Sequence, residues 1–323
     1  MGIQVLPTAV KLCENCRYAS ETGRLIQCRE CHATHTSFSR VQYYESTDCT
    51  LCVYCQAQRN TREYTKTFKV NRSERLVGYE LEFYVPRGAR LNMAAWGRLH
   101  GDGSIRPTNG CDGREFASYP FCGDYLFGTI TASTGHLLEK GAEVNHSCGV
   151  HTHFCVATDT DEMRHNIREW WPVMEPLFAG MVDSRRRNND FCTLVNSIRN
   201  SDERYGSRYR ALNTEAFHEH GTYEVRLHHG SLNDEELIGW TQVMLGFFDR
   251  FGKLEAKKKL LSAVRGLSPR GQLLYFMQHS QLGLKVRKHC IHRFMKYGLG
   301  TTGYSETYLN KQGKEVLHLE EVS

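Results

Sequence analysis

Three stretches far apart in this chain alternate in the same way: Gly78-Tyr79-Glu80-Leu81-Glu82-Phe83, Gly149-Val150-His151-Thr152-His153-Phe154 and Thr222-Tyr223-Glu224-Val225-Arg226-Leu227. Each sets two ionisable residues two positions apart, with apolar or small residues between them. Side chains alternate faces along a strand, so each stretch predicts a strand with one buried face and one chemical face. Glu80 and Glu82 oppose Val77, Tyr79, Leu81, Phe83 and Val85; His151 and His153 oppose Val150, Thr152, Phe154 and Val156; Glu224 and Arg226 oppose Tyr223, Val225 and Leu227. If the three strands share a sheet, carboxylates, imidazoles and a guanidinium converge on one face. Such gatherings mark functional sites.

The remainder of the chain reads as an α+β fold, with early strands, interleaved and following helices, and no regular strand–helix alternation. A strand carrying Glu115 follows a turn-rich segment from Arg98 to Gly113. Asp159-Thr160-Asp161-Glu162 opens a helix with acidic residues in its first turn, expected to break or kink near Pro172. Gly230 to Asn233 leads into a helix reaching Phe251. Further helices are expected over Lys253–Arg265, after the Ser268-Pro269 start signal, and over Leu284–Tyr297. There is no internal repeat.

With 323 residues, 40% hydrophobic and 24% charged, the chain can fill a sizeable core. A net charge of +5 is too mild to identify a nucleic-acid binder. There is no apolar run of membrane-spanning length, and the first residues do not read as a signal peptide. The expected setting is the cytoplasm (a host cytoplasm if the chain is phage-encoded), with no membrane partner.

Seven of the 13 cysteines fall between Cys13 and Cys55, mostly in Cys-x-x-Cys pairs. In a chain with no visible export signal this pattern predicts structural zinc rather than disulfides. Cys13, Cys16, Cys28 and Cys31 would complete one tetrahedral site, and Cys49, Cys52 and Cys55 with His35 or His32 a second. A single ribbon from Cys28, Cys31, Cys49 and Cys52 is equally compatible. Metal binding would supply folding energy to a segment with few core residues. The expected organisation is a zinc module over 1–58, a polar linker over 59–75, a catalytic core over 76–252 and a helical extension over 253–323. The zinc module is also a candidate for protein or nucleic-acid contact.

Six motifs occur in one order: Gly78-Tyr-Glu80-Leu-Glu82-Phe83, His100-Gly-Asp102-Gly-Ser104, Gly113-Arg-Glu115-Phe-Ala-Ser118, Gly149-Val-His151-Thr-His153, Ser207-Arg-Tyr209-Arg210-Ala-Leu-Asn213 and Glu224-Val-Arg226-Leu-His-His-Gly230. From 76 to about 250 the chain resembles the amidoligase family, which is similar to glutamine synthetase and glutamate–cysteine ligase in its catalytic fold. The zinc module resembles that of some phage-encoded members. The resemblance implies a glutamine synthetase-like antiparallel sheet with packed helices. It also implies ATP-dependent joining of a carboxylate to an amine, in a small molecule or a peptide, through an acyl phosphate.

It assigns Mg2+ or Mn2+ with the nucleotide to Glu80, Glu82, Glu115 and Glu224, with His151 on metal or phosphate and His153 in support. Arg210 and Arg226 would steady developing negative charge, and Asp102 would hold or deprotonate the amine. Each motif alone also fits a plainer role. A Glu-x-Glu can be a solvated strand face, a His-x-His a structural pair, and Glu224–Arg226 a surface ion pair worth under about 1 kcal/mol. Arg185-Arg186-Arg187 reads as a solvated loop, with contact to an acidic substrate as its alternative. Two other functions compete: a metal-dependent amidohydrolase built on the His-x-His strand, with His218, His220, His228 or His229 as further ligands, and a non-catalytic zinc-knuckle binding protein.

Overall fold

In a computed structural model, the described residues are 73, 75–187, 189–195 and 207–298, together with the backbones of four short strands near the N-terminus. Those strands form two antiparallel hairpins, β1 (Leu25–Gln27) with β2 (Thr34–Thr36) and β3 (Tyr43–Ser46) with β4 (Cys49–Cys52). The side chains of the expected zinc ligands, Cys13, Cys16, Cys28, Cys31, His32, His35, Cys49, Cys52 and Cys55, lie outside the described residues, as does most of the 59–75 linker.

The rest is α+β, organised on one six-stranded antiparallel sheet. Its strands are β5 (Val77–Pro86), β6 (Gly97–Gly101), β7 (Cys111–Ser118), β8 (Gly149–Cys155), β9 (Leu212–Asn213) and β10 (Thr222–His229), in the spatial order β6-β7-β5-β8-β10-β9. The three alternating stretches are therefore neighbours at the centre of the sheet. Val77, Leu81, Phe83, Phe116, Phe154, Val225 and Leu227 have no exposed surface, as alternation requires. Each large apolar side chain so buried contributes about 1.5–3 kcal/mol.

The helices join this same core. They are α1 (Gly123–Glu139), α2 (Asp161–Ala179), α3 (Ala216–His220), α4 (Asp234–Gly246), α5 (Lys258–Arg265), α6 (Pro269–His279) and α7 (Leu284–Tyr297), with a π turn at Phe247–Phe251 after α4. Phe127 of α1, Trp170 of α2, Trp240 of α4, Val264 of α5, Phe276 of α6 and Phe294 of α7 sit in one cluster with the apolar face of the sheet. Phe154 stacks on Phe248 with ring centroids 4.5 Å apart. These side chains pack on the apolar face of the sheet, while His220, at the end of α3, meets His153 of the chemical face with ring centroids 5.9 Å apart.

Three local expectations change. Helix α2 runs unbroken through Pro172 and Pro176. The backbone bonds lost there are offset by burial of Trp170 and Trp171, whose indole N–H groups donate to Leu254 O and Glu175 Oε1, each at 2.9 Å. The start of the segment read as turn-rich, Arg98 to Gly101, lies in edge strand β6 on β7. The helix expected from Lys253 starts only at Lys258.

Arg75, assigned to the linker, is bound into the core. Its guanidinium donates to Asp159 Oδ2 at 2.9 Å and Asp249 Oδ1 at 2.7 Å, and to the carbonyl of Cys155. It thereby ties the entry to β5 to the end of β8 and to the π turn. Arg75 and Asp159 are both almost fully buried, so removing the cation strands a buried carboxylate. Arg75→Met is expected to lower the unfolding free energy by about 3–5 kcal/mol, read from denaturant midpoints. A loss under about 1 kcal/mol would show that the pair is solvated.

Candidate active site

Register places the charged groups in rows across the sheet. Glu82 pairs with Glu115, and Glu115 with His100. Next to that row, Glu80 lies between Ala117 and His151. In the third, His153 lies between Gly78 and Glu224, and Glu224 pairs with Asn213. Gly78, Ala117 and Gly149 share this face, so small residues leave the charged groups room.

His151, 2% exposed, is the hub. Its Nδ1 lies 3.0 Å from Glu80 Oε2 and 3.5 Å from Glu224 Oε1, and its Nε2 lies 3.4 Å from Glu82 Oε1. Arg186 Nη2 reaches the same Nε2 at 3.1 Å. Arg186 and Glu80 thus engage the two ring nitrogens from opposite sides. His153 Nε2 lies 3.4 Å from Glu80 Oε1, and its Nδ1 lies 3.0 Å from Thr222 Oγ1. Glu224 accepts from Arg226 Nη1 at 2.5 Å and from Asn213 Nδ2 at 2.7 Å. Glu82 accepts the Gly149 N–H at 2.6 Å.

A bulge gives the site its asymmetry. Val225 pairs with Thr152 but His228 with Val150, so two residues of β10, Arg226 and Leu227, oppose His151 alone. A bulge takes backbone groups out of the ladder and re-aims side chains. The Arg226 carbonyl accepts instead from Arg186 Nε at 3.2 Å and Nη2 at 3.1 Å. Past the bulge His229, opposite Gly149, takes the chemical face, while His228 turns inward against Trp240.

The electrostatics follow from this crowding. Burial works against ionisation of Glu80, but hydrogen bonds from His151 and His153 outweigh it and hold the carboxyl well below its usual range. Burial likewise opposes a charged His153, and Glu80 overcomes it, raising the imidazole. Glu224 is lowered because the nearby His151 and Arg226 outweigh its burial. Glu115 is offset only by Arg226, the smallest of its influences. Burial, then Glu80, Glu82 and Asp102, push it up to about 7.

Three sets bring one donor atom per residue within 4.8 Å of one another: Glu80, His153 and Glu224; Glu80, Glu115 and His151; and Glu82, Asp102 and Glu115. The oxygen-rich sets suit a hard divalent cation, whose charge would relieve the repulsion that Glu115 feels.

Most of the expected site residues meet here. Glu80, Glu82, Glu115, His151, His153, Glu224 and Arg226 form the cluster. Asp102 joins it among the carboxylates, its Oδ1 also capping its own turn through Ser104 N at 2.7 Å. Arg210 is bridged to Thr193 three residues before Asn213. Two readings are corrected. Glu224–Arg226 is no surface pair, the two residues being 4% and 8% exposed. His151, expected on metal or phosphate, is the central strut of the cluster, with Glu80 and Arg186 at its two ring nitrogens. Arg186 belongs to no solvated loop. It is 4% exposed, in the 3-10 turn Ser184–Arg186. A run of three arginines carries no signal for which one turns inward.

His228 and His229 form a separate group with Glu236, where Arg293 donates to Glu236. There a guanidinium already supplies the positive charge that a metal would bring. Comparison with family models and with curated proteins gives no match.

Glu115→Gln tests the excess negative charge. Because the folded-state pKa lies above the unfolded value, the folded protein holds an extra proton between about pH 4.5 and pH 7, and stability falls as pH rises through that window. Discounted for solvent screening, Glu115→Gln is expected to stabilise the metal-free protein by about 1–2 kcal/mol at pH 8. The gain should vanish near pH 5. Thermal melts showing equal effects at both pH values would contradict the crowding.

Proposed function

We propose that this protein is an ATP-dependent carboxylate–amine ligase with a glutamine synthetase-like catalytic sheet, forming an amide or isopeptide bond through an acyl phosphate. One observation carries the reading: Glu80, Glu82, Glu115 and Glu224, from β5, β7 and β10 on either side of His151, crowd one sheet face beside Arg226. The order of the six motifs, with their resemblance to amidoligases, supports the same conclusion.

In this reading Glu80, Glu82, Glu115 and Glu224 hold Mg2+ or Mn2+ with ATP, and the ion would neutralise phosphate charge during transfer. Arg226, fixed by Glu224 and by Phe191 O at 3.1 Å, presents a guanidinium whose position needs no reorganisation as negative charge develops. Asn213 and Arg226 keep Glu224 ionised and aimed. His151 holds Glu80 in place and transmits the position of Arg186 to it. A hydrolase reading is disfavoured by the histidines. Glu80 and Arg186 engage both nitrogens of His151, and Glu80 and Thr222 those of His153. His151 and His153 therefore offer no open imidazole pair to a water-activating zinc.

Incubation of purified protein with ATP, Mg2+ and panels of amino acids and amines, read by mass spectrometry, is expected to give ADP together with a dehydrated adduct. Glu80→Gln and Glu224→Gln should each lower that turnover by about two orders of magnitude or more while the fold persists. Turnover unchanged in both variants, or adducts formed without nucleotide, would sink the proposal.

A further inference from the structure

Just past the acid cluster, where β8 begins and β10 ends, lies a cavity of about 390 Å3. Small-molecule sites span roughly 300–1,000 Å3. Its walls include Asn145, Cys148, Asp183, Arg185, Arg186 and His229. His229 opposes Gly149, and the Gly149 N–H is held by Glu82, so the cavity adjoins the cluster on the same face of the sheet.

The charges in this wall do not balance. Asp183 is matched by Arg185, which donates to it from Nε at 3.0 Å and from Nη2 at 2.8 Å. Arg186 is buried with no ion-pair partner among the described residues. Its Nε and Nη2 serve Arg226 O and His151, and its Nη1 has no hydrogen-bond partner among the described residues. A buried cation left in this state is costly unless an anion completes it. Space is kept for it as well: a Cβ at Gly149 would lie 2.2 Å from Arg186 Nη2. The glycine lets the guanidinium pass across the strand to His151.

We propose that this cavity binds the carboxylate end of an amino-acid-sized substrate, with Arg186 as the cation that receives it beside the acid cluster. The assignment rests on the ligase reading, to which it adds a substrate class and its seat. One unbalanced guanidinium matches a singly charged carboxylate better than a phosphate dianion, which the adjoining carboxylates would repel. His151 then touches both halves of the site, Glu80 on the cation side and Arg186 on the carboxylate side.

The test is saturation-transfer NMR and calorimetry on the full chain with L-glutamate, L-aspartate, succinate and acetate, in EDTA and without nucleotide. Inorganic phosphate and propylamine serve as parallel probes. At least one carboxylate should bind, and Arg186→Met and Gly149→Ala should each weaken it by about ten- to a hundredfold, as expected for a lost charge-assisted hydrogen bond. Arg186→Lys keeps the charge, guards against misfolding, and should weaken binding by about tenfold because the fork geometry is lost. No carboxylate binding, binding indifferent to all three variants, propylamine binding as tightly, or phosphate binding more tightly would overturn the proposal. Neither nucleotide nor metal is present, so this result stands apart from the outcome of the ligase assay.

Discussion

The site depends on one buried imidazole. His151 stands at the middle of a row of strands whose chemical face carries four glutamates, and it is the group that touches three of them. Without it, Glu80 and Glu82 of β5 would face Glu224 of β10 directly across β8. Arg186 is pressed on the far nitrogen of His151, opposite Glu80. Arg186 is held in turn by a carbonyl that the bulge in β10 removes from the ladder. Bulge, arginine, imidazole and carboxylate form one chain of dependence. A slip of one residue in β10 would move all of its side chains to the wrong face.

The helical layer acts on this chain from a distance. The turn that carries Arg186 follows α2, and its neighbour Arg187 donates to Val182 O and to Tyr297 O at the end of α7. Arg293 of α7 donates to Met181 O at 2.9 Å and to Glu236 of α4. Residues near the end of the described chain thus hold the segment that aims Arg186. The helices after residue 252 belong to the same core as the sheet and brace the site.

The period-2 alternation around Glu80, His151 and Glu224 made the central strands and their buried faces legible in the sequence, because that pattern has few other physical readings. Start signals did the same for α4 and α6, whose caps Asn233 and Ser268 accept from Glu236 N and Gly271 N. Helix α1 had no such signal. Its Gly128, Thr129, Thr131, Ser133, Thr134 and Gly135 are weak helix formers, and burial against the sheet holds it, with Thr134 bonding back to Ile130 O at 2.8 Å. Arg186 was invisible for another reason. Which of three arginines is buried is decided by Gly149 and the bulge, far away in sequence. The bulge itself leaves no mark in the residues Val225-Arg226-Leu227-His228.

The central proposal is that the crowded carboxylates bind a divalent cation. Titration of the full chain with Mn2+ at pH 8, read by the electron paramagnetic resonance of the free ion, tests it most directly. The account predicts at least one micromolar site, abolished by Glu82→Gln with no loss of folded protein. Binding no tighter than millimolar, or unchanged in that variant, would contradict it.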